Sequence, residues 1–161
     1  MKFKIYKFNK VKSTNITAIN LIKSKNKKFG YISADFQTDG RGTRGKKWIS
    51  HEGNLFGSFF FPLIKKNPKF SEFSIINPIL IADVISTFCG KQNMHLKFPN
   101  DILVCKKKIC GILQEVIKFN GVSYLIIGIG INVVSSPILK SKYKTTNIYD
   151  ESKKKPKLKE I

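Results

Sequence analysis

The stretch QTDGRGTRGKKW, residues 37–48, matches two phosphate-binding motifs, and the residues after it decide which folds are excluded. The dinucleotide-binding pattern G-x-G-x-x-G is met at Gly40, Gly42 and Gly45. The P-loop pattern G-x-x-x-x-G-K is met by residues 40–46. Both motifs need a helix directly after the glycines. Residues 46–61, KKWISHEGNLFGSFFF, have no helical period and predict a turn and then a strand. Lys47 also stands where a P-loop needs Ser or Thr, so neither fold is expected.

The same loop is still a candidate phosphate site. The chain has 30 basic residues, and only two of them are arginines, Arg41 and Arg44. Both lie in this loop, together with Lys46, and the single tryptophan, Trp48, closes it. Arginine forks bind phosphate oxygens in pairs, and glycines let the backbone approach a phosphate. An ordinary mobile surface loop is the alternative interpretation.

Composition predicts a globular, cytoplasmic protein. The chain has 161 residues and is 42% hydrophobic, which suits one domain with a core. Its longest apolar stretches are shorter than the roughly 18–20 residues of a membrane span, and its start lacks the apolar region of a signal peptide. Three cysteines without a C-x-x-C pattern argue against disulfides and zinc. The thiols of Cys105 and Cys110 are expected to be buried.

The net charge of +20 allows two interpretations. Clustered lysines and arginines would indicate a nucleic-acid-binding module. Here the lysines are spread through the predicted strands, turns and tail, and no aromatic–basic platform accompanies them. We favour lysines scattered over the solvated surface, with a general preference for acidic partners.

Hydrophobic periodicity predicts an α+β domain whose second half is a series of adjacent, antiparallel strands. Ser13 is expected to cap a helix over residues 14–25, and a second helix is expected in the segment 73–89, interrupted or kinked at Pro78. The other predicted elements are strands, in segments 3–8, 31–37, 55–64, 109–119 and 122–134, and two short strands within 94–105 that a Pro-Asn-Asp turn at residues 99–101 joins. Asn120–Gly121 is a hairpin signal, and residues 106–108 are predicted to form another turn.

A second cluster of polar residues lies at KFPNDI, residues 97–102. Lys97 could hold a phosphate as a point charge, and Asp101 could orient the phosphate or bind Mg²⁺. Glycines inside apolar strands often mark the close approach of a ligand. Three such glycines follow, Gly111, Gly128 and Gly130.

These segments together resemble the biotin–protein ligases. The family's motif series matches STN at residues 13–15, QTDGRGTRGKKW, KFPNDI, KKICGILQE at residues 107–115 and GIGIN at residues 128–132, in the same order. The resemblance covers most of the chain, from Ser13 to about Ile148. It implies a mixed, largely antiparallel sheet flanked by helices, similar to the core of class II aminoacyl-tRNA synthetases. We expect residues 1–150 to form this catalytic domain, and residues 151–161 to be a polar tail or the start of a further element.

The resemblance implies a two-step ligase that uses ATP and Mg²⁺. Biotin would be activated as biotinyl-5′-AMP and then transferred to a lysine of the biotin carboxyl carrier protein of acetyl-CoA carboxylase. The catalytic residues would be Arg41 and Lys97. The biotin site would comprise Ser13, Thr14, Asn15, Gln37, Gly40, Gly111, Gly128 and Gly130. The adenylate site would comprise Arg41, Gly42, Arg44, Lys46, Trp48, Lys97, Asn100 and Asn132, with Asp101 as a metal ligand.

The chain departs from the family pattern in three ways. Thr43 stands where many relatives have an arginine that helps to retain biotinyl-AMP, so faster release is expected unless Arg44 substitutes for it. Lys46 and Phe98 replace a usual Arg and Trp. The family's N-terminal helix-turn-helix has no counterpart in this sequence, from which we expect no operator binding. Its small C-terminal barrel has none either, from which we expect a weakened transfer to the carrier protein, or a fragment or minimal form of the family. No membrane partner is expected, and a homodimer is one open option. A lipoate–protein ligase of the same fold is the alternative enzyme.

Overall fold

A computed structural model describes residues 3–138, 144–154, 156–158 and 161. Three helices occur in it, α1 (Thr14–Lys25), α2 (Phe70–Cys89) and α3 (Ile148–Ser152), with short 3-10 turns at Thr43–Gly45 and Lys91–Asn93. The strands are β1 (Ile5–Val11), β2 (Gly30–Gln37), β3 (Leu55–Pro62), β4 (Met94–Lys97), β5 (Asp101–Val104), β6 (Lys107–Phe119) and β7 (Val122–Ile131). The predicted order of the seven strands, α1 and α2 is confirmed, whereas α3 was not predicted.

The strands form a seven-stranded sheet in the order β1-β2-β3-β7-β6-β5-β4. β1 runs parallel to β2, whereas the β2–β3, β4–β5 and β5–β6 pairs are antiparallel. The predicted mixed, largely antiparallel sheet is therefore confirmed. Hairpin geometry sets two of its turns. Asn120 and Gly121 have φ values of 47° and 76°, as a two-residue hairpin turn requires.

The turn between β5 and β6 lies earlier than predicted. Cys105 and Lys106 are its two positive-φ residues, with φ of 47° and 62°, and β6 already begins at Lys107. Cys105 is consequently exposed, and the prediction that its thiol is buried is wrong. The shift arises because a two-residue turn lets the ladder start at once, whereas the three consecutive lysines suggested a longer polar loop. Cys110 is fully buried as predicted.

The chain forms two compact units. The first comprises Met1–Ser50, Phe56–Pro68 and Ile112–Ile129. Its core joins one face of α1 to the sheet through buried side chains, namely Ala18, Leu21, Ile22, Ile32, Phe60, Tyr124 and Ile126. The helix predicted over residues 14–25 is confirmed as α1. β6 and β7 each contribute residues to both units.

The second unit comprises His51–Leu55, Lys69–Gly111 and Gly130–Ile161. In it α2 packs against α3, β4 and β5. The predicted domain boundary at residue 150 falls inside α3. Of the predicted polar tail, residues 155 and 159–160 lie outside the described residues.

α2 differs from its prediction in two respects. It is one continuous 20-residue helix in which Pro78 is buried, so the expected interruption is not observed. The Glu72 side chain accepts a hydrogen bond from the Lys69 backbone N–H and so caps the first turn of α2.

α2 is also long and apolar enough to cross a membrane by length and composition alone, which the shorter apolar stretches of the sequence did not indicate. About two-fifths, 39%, of that apolar window is buried, and core helices of soluble proteins meet the same criterion.

Candidate active site

The first unit places a buried polar cluster at the start of α1. Thr14 and Gln37 are 4% and 8% exposed. The Gln37 Oε1 accepts from the Thr14 backbone N–H at 2.9 Å and from the Thr14 hydroxyl at 3.2 Å. The Gln37 Nε2 donates to the Ser50 hydroxyl at 3.2 Å. A glutamine at the end of β2 therefore fixes the first residue of α1.

Asn15 extends this cluster onto the sheet. Its Nδ2 donates to the Glu115 Oε2 at 2.8 Å and to the Leu113 carbonyl at 3.3 Å. Its Oδ1 accepts from the Ser58 hydroxyl at 2.6 Å. Because both amide donors and the acceptor have matching partners, the orientation of the amide is defined by the network.

Gly128 on β7 makes room for Asn15. A Cβ at this position would overlap the Asn15 Oδ1 and lie 3.0 Å from its Cγ. The sequence predicted that a ligand approaches this glycine. In the structure the close neighbour is the side chain of Asn15, so Gly128 acts on the candidate site through that side chain.

The glycine-rich loop joins β2 to β3, as its sequence context predicted. Backbone hydrogen bonds close it as a hairpin, from Trp48 N to Gly40 O at 2.8 Å and from Gly42 N to Lys46 O at 2.7 Å. Gly40 has no space for a side chain, because a Cβ there would overlap the Trp48 carbonyl oxygen. At the tip Arg44 and Gly45 are left-handed, with φ of 56° and 72°. The absence of a helix after the glycines separates this loop from the Rossmann and P-loop types.

Arg41 connects the loop to the polar cluster. Its Nη2 lies 2.8 Å from Glu115 Oε1 and its Nη1 lies 3.2 Å from Glu115 Oε2, which is a bidentate ion pair. The Arg41 side chain is 39% exposed and that of Glu115 is 22% exposed. Arg41 therefore presents its charge to solvent at one side while its position is fixed at the other.

The second unit contains the remaining predicted residues. Lys97 ends β4 and is exposed, and the Asn100 Nδ2 donates to the Asp101 Oδ1 at 3.1 Å. The same Asp101 oxygen lies 2.7 Å from Lys108 Nζ. Gly111 stands opposite Asp101 in the β5–β6 ladder. The predicted KFPNDI cluster is thus joined to the start of β6 by a short ion pair.

Asn132, just after β7, is 1% exposed. Its Nδ2 donates to the Thr146 carbonyl at 3.0 Å, and its backbone N–H donates to the Ile109 carbonyl at 2.9 Å. Within the described part of the chain, its Oδ1 is a buried acceptor without a hydrogen-bond partner. Gly130 lies two residues earlier, inside β7.

No group of three or more His, Cys, Asp or Glu side chains that could hold a metal ion occurs among residues 3–138, 144–154, 156–158 and 161. Asp101, the predicted Mg²⁺ ligand, uses one carboxylate oxygen in its ion pair with Lys108. The described residues therefore do not offer a donor set that fits a resident metal ion.

The predicted site residues divide between the units. The first unit holds Ser13, Thr14, Asn15, Gln37, Gly40, Arg41, Gly42, Arg44, Lys46, Trp48 and Gly128. The second holds Lys97, Asn100, Asp101, Gly111, Gly130 and Asn132. Ser58, Glu115 and Lys108 had no role predicted from the sequence. Ser58 is a single polar residue inside an apolar strand, and this was the signal in the sequence. Lys108 is the second residue of the KKICGILQE segment, and Glu115 is its last.

Comparisons with known proteins identify the family of this chain. Residues 7–132 match the family model described as "Biotin/lipoate A/B protein ligase family". A biotin--[acetyl-CoA-carboxylase] ligase of Paracoccus denitrificans is 29% identical over 127 residues, which are 78% of this chain and 52% of that protein. The chain spans between about a third and a half of the length of the curated relatives it matches.

Solved structures show the same fold. A biotin protein ligase from Leishmania major in complex with biotinyl-5-AMP has a TM-score of 0.81 and 26% identity, covering 95% of this chain and 66% of that one. A biotin protein ligase from Aquifex aeolicus in complex with biotin and ATP has a TM-score of 0.79 and 30% identity, covering 98% and 64%. The resemblance and the class II synthetase-like fold predicted from the motifs are confirmed. This chain belongs to the biotin/lipoate A/B protein ligase family.

Proposed function

We propose that the protein is an ATP-dependent ligase that forms biotinyl-5′-AMP and transfers biotin to a lysine of a biotin carboxyl carrier protein. Membership of the ligase family supports this activity, as do the similar structures that hold biotin with ATP or biotinyl-5-AMP. The carrier of acetyl-CoA carboxylase is proposed as the acceptor because a similar protein is a biotin--[acetyl-CoA-carboxylase] ligase. A cytoplasmic location suits such an acceptor.

The observation that carries the proposal is the neutral polar cluster of Thr14, Asn15, Gln37 and Ser58 beside the cationic Arg41. A ureido ring carries two N–H donors and one carbonyl acceptor, and amide and hydroxyl side chains supply both kinds of partner. A carboxylate or phosphate at the other end of the same ligand would meet the exposed side of Arg41. The first unit therefore has the chemistry to bind a neutral ring and an acid group together.

The reaction needs positioning and charge stabilisation only. In the first step a carboxylate oxygen of biotin attacks the α-phosphorus of ATP, the bond to the β-phosphate oxygen breaks, and pyrophosphate leaves. In the second step the ε-amine of the acceptor lysine attacks the acyl carbon, AMP leaves, and the amine gives up a proton. Neither step requires a covalent bond to the enzyme. Arg41 and Lys97 are proposed to stabilise the developing negative charge on the carboxylate and phosphate oxygens.

The other predicted residues keep their proposed roles. Ser13, Thr14, Asn15 and Gln37 would bind the ureido ring, with the glycines Gly40, Gly111, Gly128 and Gly130 shaping the biotin site. Gly42, Arg44, Lys46, Trp48, Asn100 and Asn132 would contact the adenylate. Asn132 has a specific reason for this role, since its buried Oδ1 accepts no hydrogen bond from the described residues and could accept one from the nucleotide. Mg²⁺ bound to ATP would neutralise phosphate charge.

ATP–pyrophosphate exchange tests the proposal. Purified protein is incubated with MgATP and labelled pyrophosphate, with biotin, with lipoate, or with neither acid. We expect exchange in the presence of biotin and none with lipoate or without an acid. Exchange with lipoate alone would assign the lipoate branch of the family, and no exchange from a folded sample with either acid would remove the ligase assignment.

Transfer to the carrier requires a separate assay. Purified biotin carboxyl carrier protein is incubated with enzyme, biotin and MgATP, and the mass increase of one biotinyl group is followed by mass spectrometry. The carrier with its acceptor lysine changed to arginine is the control. Exchange without transfer would limit the activity of this chain to adenylate formation.

A further inference from the structure

Glu115 contacts both the polar cluster at the start of α1 and the glycine-rich loop. Its Oε2 accepts from Asn15 Nδ2 at 2.8 Å and from Arg41 Nη1 at 3.2 Å, while its Oε1 accepts from Arg41 Nη2 at 2.8 Å. A single carboxylate thus holds an amide of the polar cluster and the arginine of the loop. All three residues belong to the first unit.

This contact differs from an ordinary surface ion pair. A solvent-exposed pair contributes little because water screens it and two flexible side chains must be ordered. Glu115 lies on a strand and is only 22% exposed. Its bidentate geometry and its additional bond to Asn15 restrict the carboxylate further, so that the guanidinium is held in one plane.

The geometry leaves part of Arg41 available to an anion. A guanidinium has five N–H donors. An end-on pair with Glu115 uses one hydrogen from each terminal nitrogen, which leaves the Nε–H and two outer hydrogens. Those donors lie on the part of the guanidinium turned away from Glu115, and the side chain is 39% exposed.

We infer that Glu115 is a positioning residue that holds Arg41 for anion stabilisation and holds Asn15 for ring binding. This inference rests on the proposed function, because it assigns to Glu115 the alignment of the residues that would carry that function. Glu115 itself takes no part in bond making. Its effect on the reaction passes through Arg41 and Asn15.

The chain offers a direct spectroscopic test, because it contains only two arginines, Arg41 and Arg44. Arginine-selective ¹⁵N labelling gives two guanidinium spin systems, which R44K assigns. In the wild type we expect separate, slowly exchanging Nη–Hη signals for Arg41 and averaged signals for Arg44. In Glu115→Gln, with the amide spectrum unchanged elsewhere, the Arg41 signals should average as well. Arg41 signals that are the same in both proteins would overturn the inference.

Kinetics provide a second test, because a merely structural role of Glu115 would not lower kcat selectively. E115Q is expected to lower kcat for biotin-dependent exchange by about 10-fold to 100-fold, with a smaller change in KM for ATP. Asp83→Asn is the matched control, because it also removes one negative charge from an ion pair, that of Asp83 with Lys91 at 3.2 Å. It should leave kcat within about twofold of the wild-type value.

A double-mutant cycle identifies the route of the effect. Arg41→Lys keeps the charge but cannot form the bidentate pair. If Glu115 acts through Arg41, E115Q will lower kcat much less in the R41K background than in the wild type. Equal losses in both backgrounds would overturn the inference.

The arginine spectra and the exchange kinetics together separate this inference from the proposed function. If the wild type exchanges pyrophosphate with neither acid, the proposed function fails, and the arginine spectra still decide whether Glu115 holds Arg41. In that case inorganic pyrophosphate serves as the probe. Shifts of the Arg41 signals that become weaker in E115Q would support positioning for anion binding, whereas equal shifts in both proteins would contradict it.

Discussion

Gln37 accepts two hydrogen bonds from Thr14 through one oxygen, from the backbone N–H at 2.9 Å and from the hydroxyl at 3.2 Å. The Thr14 N–H is among the first amides of α1, which have no partner inside the helix. Ser13 occupies the cap position but its side chain forms no capping hydrogen bond. Ser13 therefore holds the expected cap position, but a glutamine from β2 supplies the side-chain acceptor for the first amide of the helix.

This difference predicts the relative effects of two substitutions on stability. Gln37→Ala should lower the free energy of unfolding by about 1–3 kcal/mol, because it leaves a buried N–H and the Ser50 hydroxyl with fewer partners. Ser13→Ala should lower it by about 0.5 kcal/mol or less. Urea unfolding at pH 7 measures both. A larger loss for Ser13→Ala than for Gln37→Ala would contradict the assignment of the cap.

The absence of a side chain at position 128 is predicted to matter for stability only while the Asn15 side chain is present. Gly128→Ala should lower stability by about 1–3 kcal/mol, since the new Cβ overlaps the Asn15 side chain. The same change should raise KM for biotin, because Asn15 loses its bonds to Ser58 and Glu115. In the Asn15→Ala background the methyl group has space, so G128A should cost little further stability. Thermal unfolding of the two single variants and the double variant checks this, and additive losses would exclude the overlap as the cause.

Asn54 is expected to be a structural residue of the second unit. Its Oδ1 accepts from three consecutive backbone amides, those of Val133, Val134 and Ser135, at 2.8, 3.0 and 3.3 Å. Its Nδ2 donates to the Ser135 carbonyl at 2.9 Å. Asn54→Ala should lower the free energy of unfolding by about 2–4 kcal/mol, as buried amides lose their acceptor. Asn54→Asp keeps the acceptor oxygen and should lower the free energy of unfolding less than Asn54→Ala does. Urea unfolding that shows less than about 0.5 kcal/mol for N54A would contradict this role.

The Glu151–Lys107 pair predicts a pH dependence of stability. Burial opposes ionisation of Glu151, but hydrogen bonds from Lys107 and Thr146 and the charge of Lys107 together hold its pKa below the ordinary value of 4.5. A lowered pKa in the folded state stabilises the protein above pH 4.5, and this stability is lost as the pH falls through the folded-state pKa. Glu151→Gln should therefore be less stable than the wild type at pH 6, and the difference should shrink toward pH 3.5. Thermal unfolding across this range measures it, and a constant difference would contradict the assignment.

The three cysteines are expected to differ in reactivity, because the turn between β5 and β6 exposes only one of them. Cys105 is exposed, whereas Cys89 and Cys110 are buried. Burial raises the pKa of the Cys89 thiol to about 11 and raises that of Cys110 still further. Iodoacetamide at pH 8 should therefore modify Cys105 in the native protein and the other two only after unfolding. Peptide mass spectrometry checks this, and equal native labelling of Cys89 or Cys110 would contradict the burial.

The motif series identified the family, the sheet type and most of the elements because those signals are local. The residues after the glycines lack a helical period, which separated the loop from the Rossmann and P-loop types, and Lys47 in place of Ser or Thr was a further argument against a P-loop. Asn120 and Gly121 tolerate positive φ, so their pair fixed a hairpin between two apolar strands. The alternation of apolar residues then located β2, β3, β6 and β7 within a few residues.

Only the tertiary structure decided which polar side chains meet. Arg41 and Glu115 are 74 residues apart, and Asn15 and Glu115 are 100 residues apart. A shift of one residue in strand register would turn Glu115 to the opposite face of β6, and no local pattern in the sequence fixes that register against α1 and the loop. The hydrogen bond from α1 to Gln37 depended on the same long-range geometry, whereas the exposure of Cys105 follows from the local turn at Cys105–Lys106. The sequence by itself determined the type of loop and the residue types for the chemistry, because these follow from local backbone preferences. Their partners required the packed sheet, because hydrogen-bond geometry between distant segments exists only after folding.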